Sequence, residues 1–363
     1  MTLPFNPLVQ SLPASVPFVG PETLERARGR QFAARIGANE SAFGISPVAA
    51  RAMNDAIADT GCSWYCDPEN FELRSALAQQ HGVRMEEICV DAGIDSLLGL
   101  TVRMLTTPDA TVVTSDGAYP TFNYHVAGFG AKLVKVPYRD NHEDPQALLD
   151  AASQHQATLL YLSNPDNPMG TWHDADVITQ LIDALPGGTL LLLDEAYNEF
   201  ADNAIAPPID TSNEQVLRFR TFSKAYGMAG LRIGYAIGNE SVISSFNKVR
   251  NHFAVNRLAQ IGALASVSDT AFLQQVKQAV SDGRDRIYQM ADSFGLRYLP
   301  SATNFVAVDL ESTERAQTIL KQLNEQGVFI RMPGVSPLNR YIRVGVGTEA
   351  EHQVFLENFS QLI

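Results

Sequence analysis

Along residues 46–250 short apolar runs alternate with amphipathic stretches, and that alternation predicts the architecture. Ser46-Pro47 reads as an N-cap followed by a first-turn proline, opening a helix through Ala58, and Asn70–His81 reads as a second helix stopped by Gly82. Strands are predicted at Glu87–Val90, Thr111–Thr114, Lys132–Val136, Thr158–Leu162, Thr189–Leu193, Val216–Arg220 and Arg232–Ile237. Stretches long enough for crossover helices lie between most of them, at Ile94–Met104, Tyr119–Gly128, Pro145–Ala152 and Asp174–Ala184. Strand, helix, strand in succession implies an α/β body with a mostly parallel sheet covered on both faces. Leu190–Leu193 is apolar throughout, as a strand buried on both faces should be.

After Asn251 the pattern changes to long helices at Arg257–Val267 and Phe272–Phe294, followed by short strands at Leu296–Leu299, Phe305–Val308, Val328–Ile330 and Tyr341–Val344. This predicts an N-terminal segment (1–45) packed on a small domain, a large α/β domain (46–253) and a small C-terminal α+β domain (254–363). There is no internal repeat, low-complexity tract or Gly/Ser linker.

Charge narrows the partners. The 363 residues carry 27 Lys and Arg against 40 Asp and Glu, a net charge of -13, so the whole-molecule field repels nucleic acid and anionic lipid, and any anionic ligand must be gathered locally. With 45% hydrophobic residues the chain can bury a sizeable core. No apolar run approaches the roughly 18–20 residues that span a bilayer, and the start of the chain lacks the basic-then-apolar layout of a signal peptide. Cys62, Cys66 and Cys89 are too few and wrongly spaced for a disulfide framework or a zinc site, so a reduced, cytoplasmic setting is expected, with neither membrane nor nucleic acid as partner and no metal.

The chemistry concentrates in Arg220-Thr221-Phe222-Ser223-Lys224-Ala225-Tyr226-Gly227-Met228-Ala229-Gly230-Leu231-Arg232-Ile233-Gly234-Tyr235. It gathers an amine, two hydroxyls and a guanidinium around one small anion, which is what a phosphate-bearing aldehyde needs. The amine condenses with the aldehyde, and the hydroxyls and guanidinium clamp the phosphate. Alone, Ser-Lys is also what a surface lysine in a glycine-rich loop looks like. Extended to Thr-x-Ser-Lys-x-x-Gly-x-x-Gly-x-Arg-x-Gly-Tyr, the segment resembles the fold type I pyridoxal-phosphate (PLP) aminotransferases, within them the histidinol-phosphate aminotransferase-like group, and the resemblance runs from Asn39 to Thr348.

That resemblance implies a fold type I PLP transferase with a mixed, mostly parallel sheet, in which Lys224 holds PLP as a Schiff base and shuttles the substrate proton. It makes Thr221, Ser223 and Arg232 phosphate ligands. Asp194, at the carboxyl edge of a buried strand where open α/β sheets place their ligands, is read as the carboxylate that pairs with the pyridinium nitrogen. Tyr197 then donates to the ring's 3-oxygen; the same Asp-Glu-Ala-Tyr is also what an acidic helix start looks like. In Ser163-Asn164-Pro165-Asp166-Asn167-Pro168-Met169-Gly170, Asn167 matches the asparagine that bonds the same oxygen, and Met169 replaces the usual threonine. Gly93, with the main-chain donors of Ile94 and Asp95, forms an anion site at a helix N-terminus, although Ile94 and Ser96 depart from the usual Gly-Ser-Asp-Glu. Phe122 aligns with the aromatic that stacks on the ring; a core aromatic at a helix start is the alternative.

On the substrate side, Arg343 in Asn339-Arg-Tyr-Ile-Arg-Val-Gly-Val-Gly-Thr348 resembles the arginine that grips the α-carboxylate, a task suited to a planar fork, and is expected to anchor the carboxylate or, for a histidinol-type substrate, the terminal group. Arg331 is either a contact for a second substrate anion or a solvated strand-end charge. Asn39-Glu40 matches a motif near the substrate entrance, and Tyr65, in Ser63-Trp-Tyr-Cys-Asp-Pro68, matches the tyrosine that reaches the neighbouring subunit's PLP phosphate, implying a homodimer. The implied reaction is transamination between an amino donor (an amino acid or amino-alcohol phosphate, histidinol-phosphate-like or aromatic) and a 2-oxo acid acceptor such as 2-oxoglutarate. Decarboxylation of the threonine-phosphate type is the alternative within the family. A DNA-binding regulator has no module to bind with, and Asp91-Ala-Gly-Ile-Asp-Ser lacks the Gly-x-Gly-x-x-Gly of a nicotinamide dehydrogenase.

Overall fold

The structure, a computed structural model, describes residues 3–14, 18–59, 61–201 and 205–363. Its strands are β1 (Ala34–Arg35), β2 (Ile88–Asp91), β3 (Thr111–Ser115), β4 (Lys132–Val136), β5 (Leu159–Ser163), β6 (Leu190–Asp194), β7 (Val216–Thr221), β8 (Gly234–Gly238), β9 (Phe305–Asp309), β10 (Val328–Phe329) and β11 (Tyr341–Gly345). Seven of them form one sheet in the order β2-β8-β7-β6-β5-β3-β4. All pairings are parallel except those of β8, which runs antiparallel to both β2 and β7.

The hydrophobic alternation explains why this sheet is sandwiched. Leu190 and Leu192 face the Ile94–Leu105 and Pro120–Gly128 helices, whereas Leu191 and Leu193 face the Pro145–Gln154 and Ala175–Asp183 helices. All four leucines are buried, each contributing about 1.5–3 kcal/mol of hydrophobic stabilisation. The caps are local: Ser46 Oγ accepts from the amides of Val48 and Ala49, and Gly82 closes the Phe71–His81 helix in the left-handed region at φ 66°.

Beyond the main sheet, β9 and β11 pair antiparallel, and β1 from the N-terminal segment pairs parallel with β10. The Thr270–Ser293, Thr313–Gln326 and Glu349–Phe359 helices cover them around Phe305, Val308, Ile342 and Phe355. Leu296–Leu299, expected as a strand, makes only the bridge Tyr298↔Val308. Helices at Pro21–Arg28, Thr313–Gln326 and Glu349–Phe359 were not anticipated. We propose the division at residues 45 and 253, noting that the Arg257–Ser268 helix packs on the Pro47–Ala58 and Phe71–His81 helices. No helix among the described residues is long and apolar enough to cross a membrane.

Candidate active site

The single reversed strand decides what meets what. Because β2, β5, β6 and β7 are parallel, their carboxyl ends lie on one edge, and because β8 runs the other way, the residues just before it arrive at that same edge. The register puts Gly234 opposite both Asp91 and Thr221, and Ser163 opposite Asp194. Loops leaving this edge enclose a cavity of about 240 Å³. Ile94, Asp95, Asn167, Asp194, Tyr197, Thr221, Ser223, Lys224 and Arg232 border it, together with Ser163, Tyr119 and Tyr161.

Lys224 sits three residues past β7. Its Nζ donates to the Asn39 carbonyl at 3.0 Å and lies 5.5 Å from the centre of the Tyr197 ring. Asn39, held at φ 56°, donates from Nδ2 to Tyr197 Oη at 2.9 Å, so one residue steadies both the amine and the phenol. The loop after Lys224 turns tightly at Gly227, where an added Cβ would collide with the Gly44 carbonyl oxygen at 1.8 Å.

At one end of the cavity lies Asp194, buried, accepting from Tyr161 Oη at 2.8 Å and the Ala196 amide at 3.0 Å. Burial pushes its carboxyl up to about 6. At the other end, Gly93 caps the Ile94–Leu105 helix at φ 89°, and the first amides of that helix open toward Arg232. Arg232, itself at φ 55°, donates to the Ala229 carbonyl at 3.2 Å and stands 3.6 Å from Asp95. A Cβ on Gly93 would occupy the space of the Arg232 guanidinium, so the missing side chain forms the cradle. Thr221 Oγ1 accepts from the Ser223 amide at 3.0 Å, which fixes the turn carrying both hydroxyls. An anion-binding end and a carboxylate end, with an amine between them, fit a phosphorylated pyridine aldehyde.

The departures have local reasons. Ser96 Oγ donates to Asp91 Oδ1 at 2.5 Å, replacing whatever a longer acid would do there, and Ile94 leaves the main-chain donors in place. Met169 is fully buried against Ala307, Leu338 and Tyr341, and its amide donates to Asp166 Oδ2.

Arg343 lies on β11, where its backbone N–H donates to the Arg331 carbonyl at 2.6 Å. Its Nη1 donates to Asn167 Oδ1, its guanidinium carbon stands 5.0 Å from the centre of the Phe305 ring, and its buried Nε has no partner among the described residues. Burial pushes this guanidinium down. Arg331 stacks on the Phe18 ring at 3.8 Å and donates to the Val19 carbonyl; burial, with the Arg343 charge added, pushes it down to about 10. It is therefore not the solvated strand-end charge that one reading allowed. Phe18 also borders the cavity.

The structure corrects the reading of Phe122. That side chain points into the sheet, fully buried, and stacks on Tyr161 at 4.6 Å with the rings 17° apart. Tyr119, one helical turn earlier, borders the cavity instead and donates to Asp95 Oδ1 at 2.7 Å. Tyr161 was also missed, although a phenol in the otherwise apolar Leu159–Leu162 run signals a hydroxyl aimed at something polar. Tyr65 is 79% exposed, outside this cavity, with its ring 4.7 Å from Phe253.

Comparison with known proteins bears on the family and the fold. The family of class I and II aminotransferases matches residues 34–359. The histidinol-phosphate aminotransferase of Sinorhizobium meliloti, solved in complex with pyridoxal-5'-phosphate, is 47% identical, covers 100% of this chain and 99% of its own, and superposes with a TM-score of 0.95. Histidinol-phosphate aminotransferase 1 of Nitrosococcus oceani is 33% identical over 96% of this chain and 94% of its own length. A double mutant of the Thermus thermophilus aspartate aminotransferase, at 23% identity and a TM-score of 0.83 with 99% of each chain covered, shares the fold. With its family matched over nearly the whole length and its lysine, carboxylate and anion cradle on one sheet edge, the chain belongs to the class I and II aminotransferases.

Proposed function

We propose that this chain is a PLP-dependent aminotransferase that moves an amino group between an amino acid or amino-alcohol phosphate, of the histidinol-phosphate or aromatic kind, and a 2-oxo acid such as 2-oxoglutarate. The observation that carries this reading is Lys224 Nζ, fixed on the Asn39 carbonyl in the one cavity that Asp194, Thr221, Ser223 and Arg232 also border. The histidinol-phosphate aminotransferases among its relatives support the substrate class, and no relative described above supports the decarboxylase alternative.

When bound, PLP supplies an aldehyde that condenses with amines and a pyridine ring that takes up electron density from the substrate Cα. The protein's part is to hold and to move protons. Thr221, Ser223, Arg232 and the amides of Ile94 and Asp95 would hold the phosphate, Asp194 the ring nitrogen, and Tyr197 with Asn167 the ring oxygen. Lys224 Nζ carries the Cα proton, first as base and then as acid. Arg343, half-buried and with its buried Nε short of a partner among the described residues, takes the substrate carboxylate, and Arg331 stands beside it for a second anion.

The active unit is read as a homodimer in which Tyr65 reaches the neighbouring site. Trp64 and Tyr65 expose 63% and 79% of their surface beside Phe253, an aromatic patch that supports burial against a second copy. Free Cys62, Cys66 and Cys89 support a cytoplasmic setting.

Borohydride reduction of the purified yellow protein, followed by peptide mapping, should place the pyridoxyl group on Lys224. A panel of histidinol phosphate, phenylalanine and tyrosine against 2-oxoglutarate should then rank the donors. A protein that takes up no PLP, or releases CO₂ instead of a keto product, contradicts this function.

A further inference from the structure

Under the Asn167 loop lie two buried carboxyls that the transamination chemistry does not use. Glu143 and Asp166 are each 2% exposed. Glu143 Oε2 accepts from Ser115 Oγ at 2.6 Å, and its Oε1 accepts from the Ser163 amide at 2.9 Å. Asp166 accepts from Tyr138 Oη at 2.9 Å and the Met169 amide at 3.0 Å. Ser163 Oγ stands between the two, 2.9 Å from Glu143 Oε1 and 3.3 Å from Asp166 Oδ1. Among the described residues neither carboxyl has an ion pair with Lys, Arg or His.

One hydroxyl proton cannot serve both contacts. Ser163 donates to one carboxyl, and the other contact closes only if that carboxyl carries a proton and donates it to Ser163 Oγ. Two buried carboxyls so linked cannot both ionise without a large cost, and they titrate as a unit. Burial pushes both upward, and the Asp166 charge adds to the effect on Glu143.

The pair acts on Arg343. Asn167, next in the chain to Asp166, receives Arg343 Nη1, and the charges of Asp166 and Arg343 influence one another. Burial holds the Tyr138 and Tyr161 phenols well above their ordinary range. Burial keeps His173, which contacts the Glu143 carbonyl at 2.8 Å and lies tilted 5.8 Å from the His142 ring, below its ordinary range. Asp144, next to Glu143, is paired with Arg139 at 2.9 Å.

We propose that Glu143 and Asp166, bridged by Ser163, hold one proton in common and thereby set the charge against which Arg343 grips the substrate carboxylate. They are positioning residues. With the proton in place the pair carries one negative charge. Once it leaves in alkali, a second negative charge opposes the incoming carboxylate. This rests on the reading of Arg343 as the carboxylate anchor.

The test is calorimetric titration of the holoenzyme with succinate, an unreactive dicarboxylate, from pH 7 to 9. In the unmodified protein affinity should fall about tenfold over the alkaline limb, with proton uptake on binding measured in buffers of different ionisation enthalpy. Glu143→Gln and Asp166→Asn should each flatten that limb and abolish the proton uptake, an effect that loss of packing alone would not produce. A limb of unchanged steepness in both variants, with succinate binding still lost in Arg343→Ala, overturns the shared proton and leaves the anchor standing. Succinate binding that survives Arg343→Ala overturns the anchor itself and the pair's role with it.

Discussion

A Cβ on Gly93 would stand 2.6 Å from Arg232 Nη2. Gly93 sits at φ 89°, so Gly93→Ala meets backbone strain as well as the guanidinium. The variant should fold, because the residue caps the start of its helix and no core side chain moves. Its PLP dissociation constant should rise about tenfold or more, about 1.4 kcal/mol, as Arg232 is pushed from the phosphate position. Titration of the apoenzyme with PLP, followed by absorbance, measures this.

Lys224→Ala removes the amine but leaves the cradle. Transamination should fall by about four orders of magnitude, the upper end of what a positioned acid–base group supplies. PLP should still bind, now non-covalently, and come away on gel filtration. Added methylamine should restore part of the rate if the missing function is proton transfer.

Distant from this cavity, His81 Nε2 lies 2.9 Å from Tyr235 Oη, and burial, with Arg220 and Arg218 adding to it, pushes the imidazole down to about 4. A histidine lowered from 6.5 contributes stability that is present above pH 6.5 and lost as the pH falls toward 4. The total is about 3 kcal/mol. Because burial penalises the charged imidazole and not the neutral one, His81→Asn should escape that loss: its urea unfolding midpoint, close to that of the unmodified protein at pH 7, should lie above it by pH 4, with one proton less in the pH slope.

Much of this was readable in the residues themselves. Leu190–Leu193 declared a doubly buried strand because period-two packing on both faces demands an apolar run, and Asp194 followed as the first polar residue at its open end. Arg232 could be assigned to the phosphate because a motif carried it, but why it arrives there, through the reversal of β8, is a property of strand order that no local pattern encodes. Phe122 went astray for the same reason. A helix start fixes which residues share a face, not which face meets the sheet, and here Tyr119 took the cavity while Phe122 took the core. The Glu143–Ser163 contact joins a loop to the end of β5, 20 residues on, and left no periodic trace.

Asp194 ties stability to function. A carboxyl raised from 3.8 to about 6 by burial favours its protonated form in the fold, so its contribution to stability is present below pH 3.8 and lost as the pH rises through 6. At pH 7.5 the apoenzyme therefore carries a penalty of about 2–3 kcal/mol from this one side chain. Asp194→Asn removes the charge and keeps the volume, so the apo variant should unfold at higher temperature than the unmodified apo protein at pH 7.5 and at an equal temperature near pH 4. A cationic ring nitrogen placed against the carboxylate would reverse that penalty in the holoenzyme, which makes the same substitution costly once PLP is added: kcat should fall about 10²-fold or more. Paired melting curves, with and without PLP, at pH 4, 6 and 7.5 measure both effects. An apo variant less stable than the unmodified protein at pH 7.5 would show that the Tyr161 and Ala196 hydrogen bonds already offset the burial of the charge.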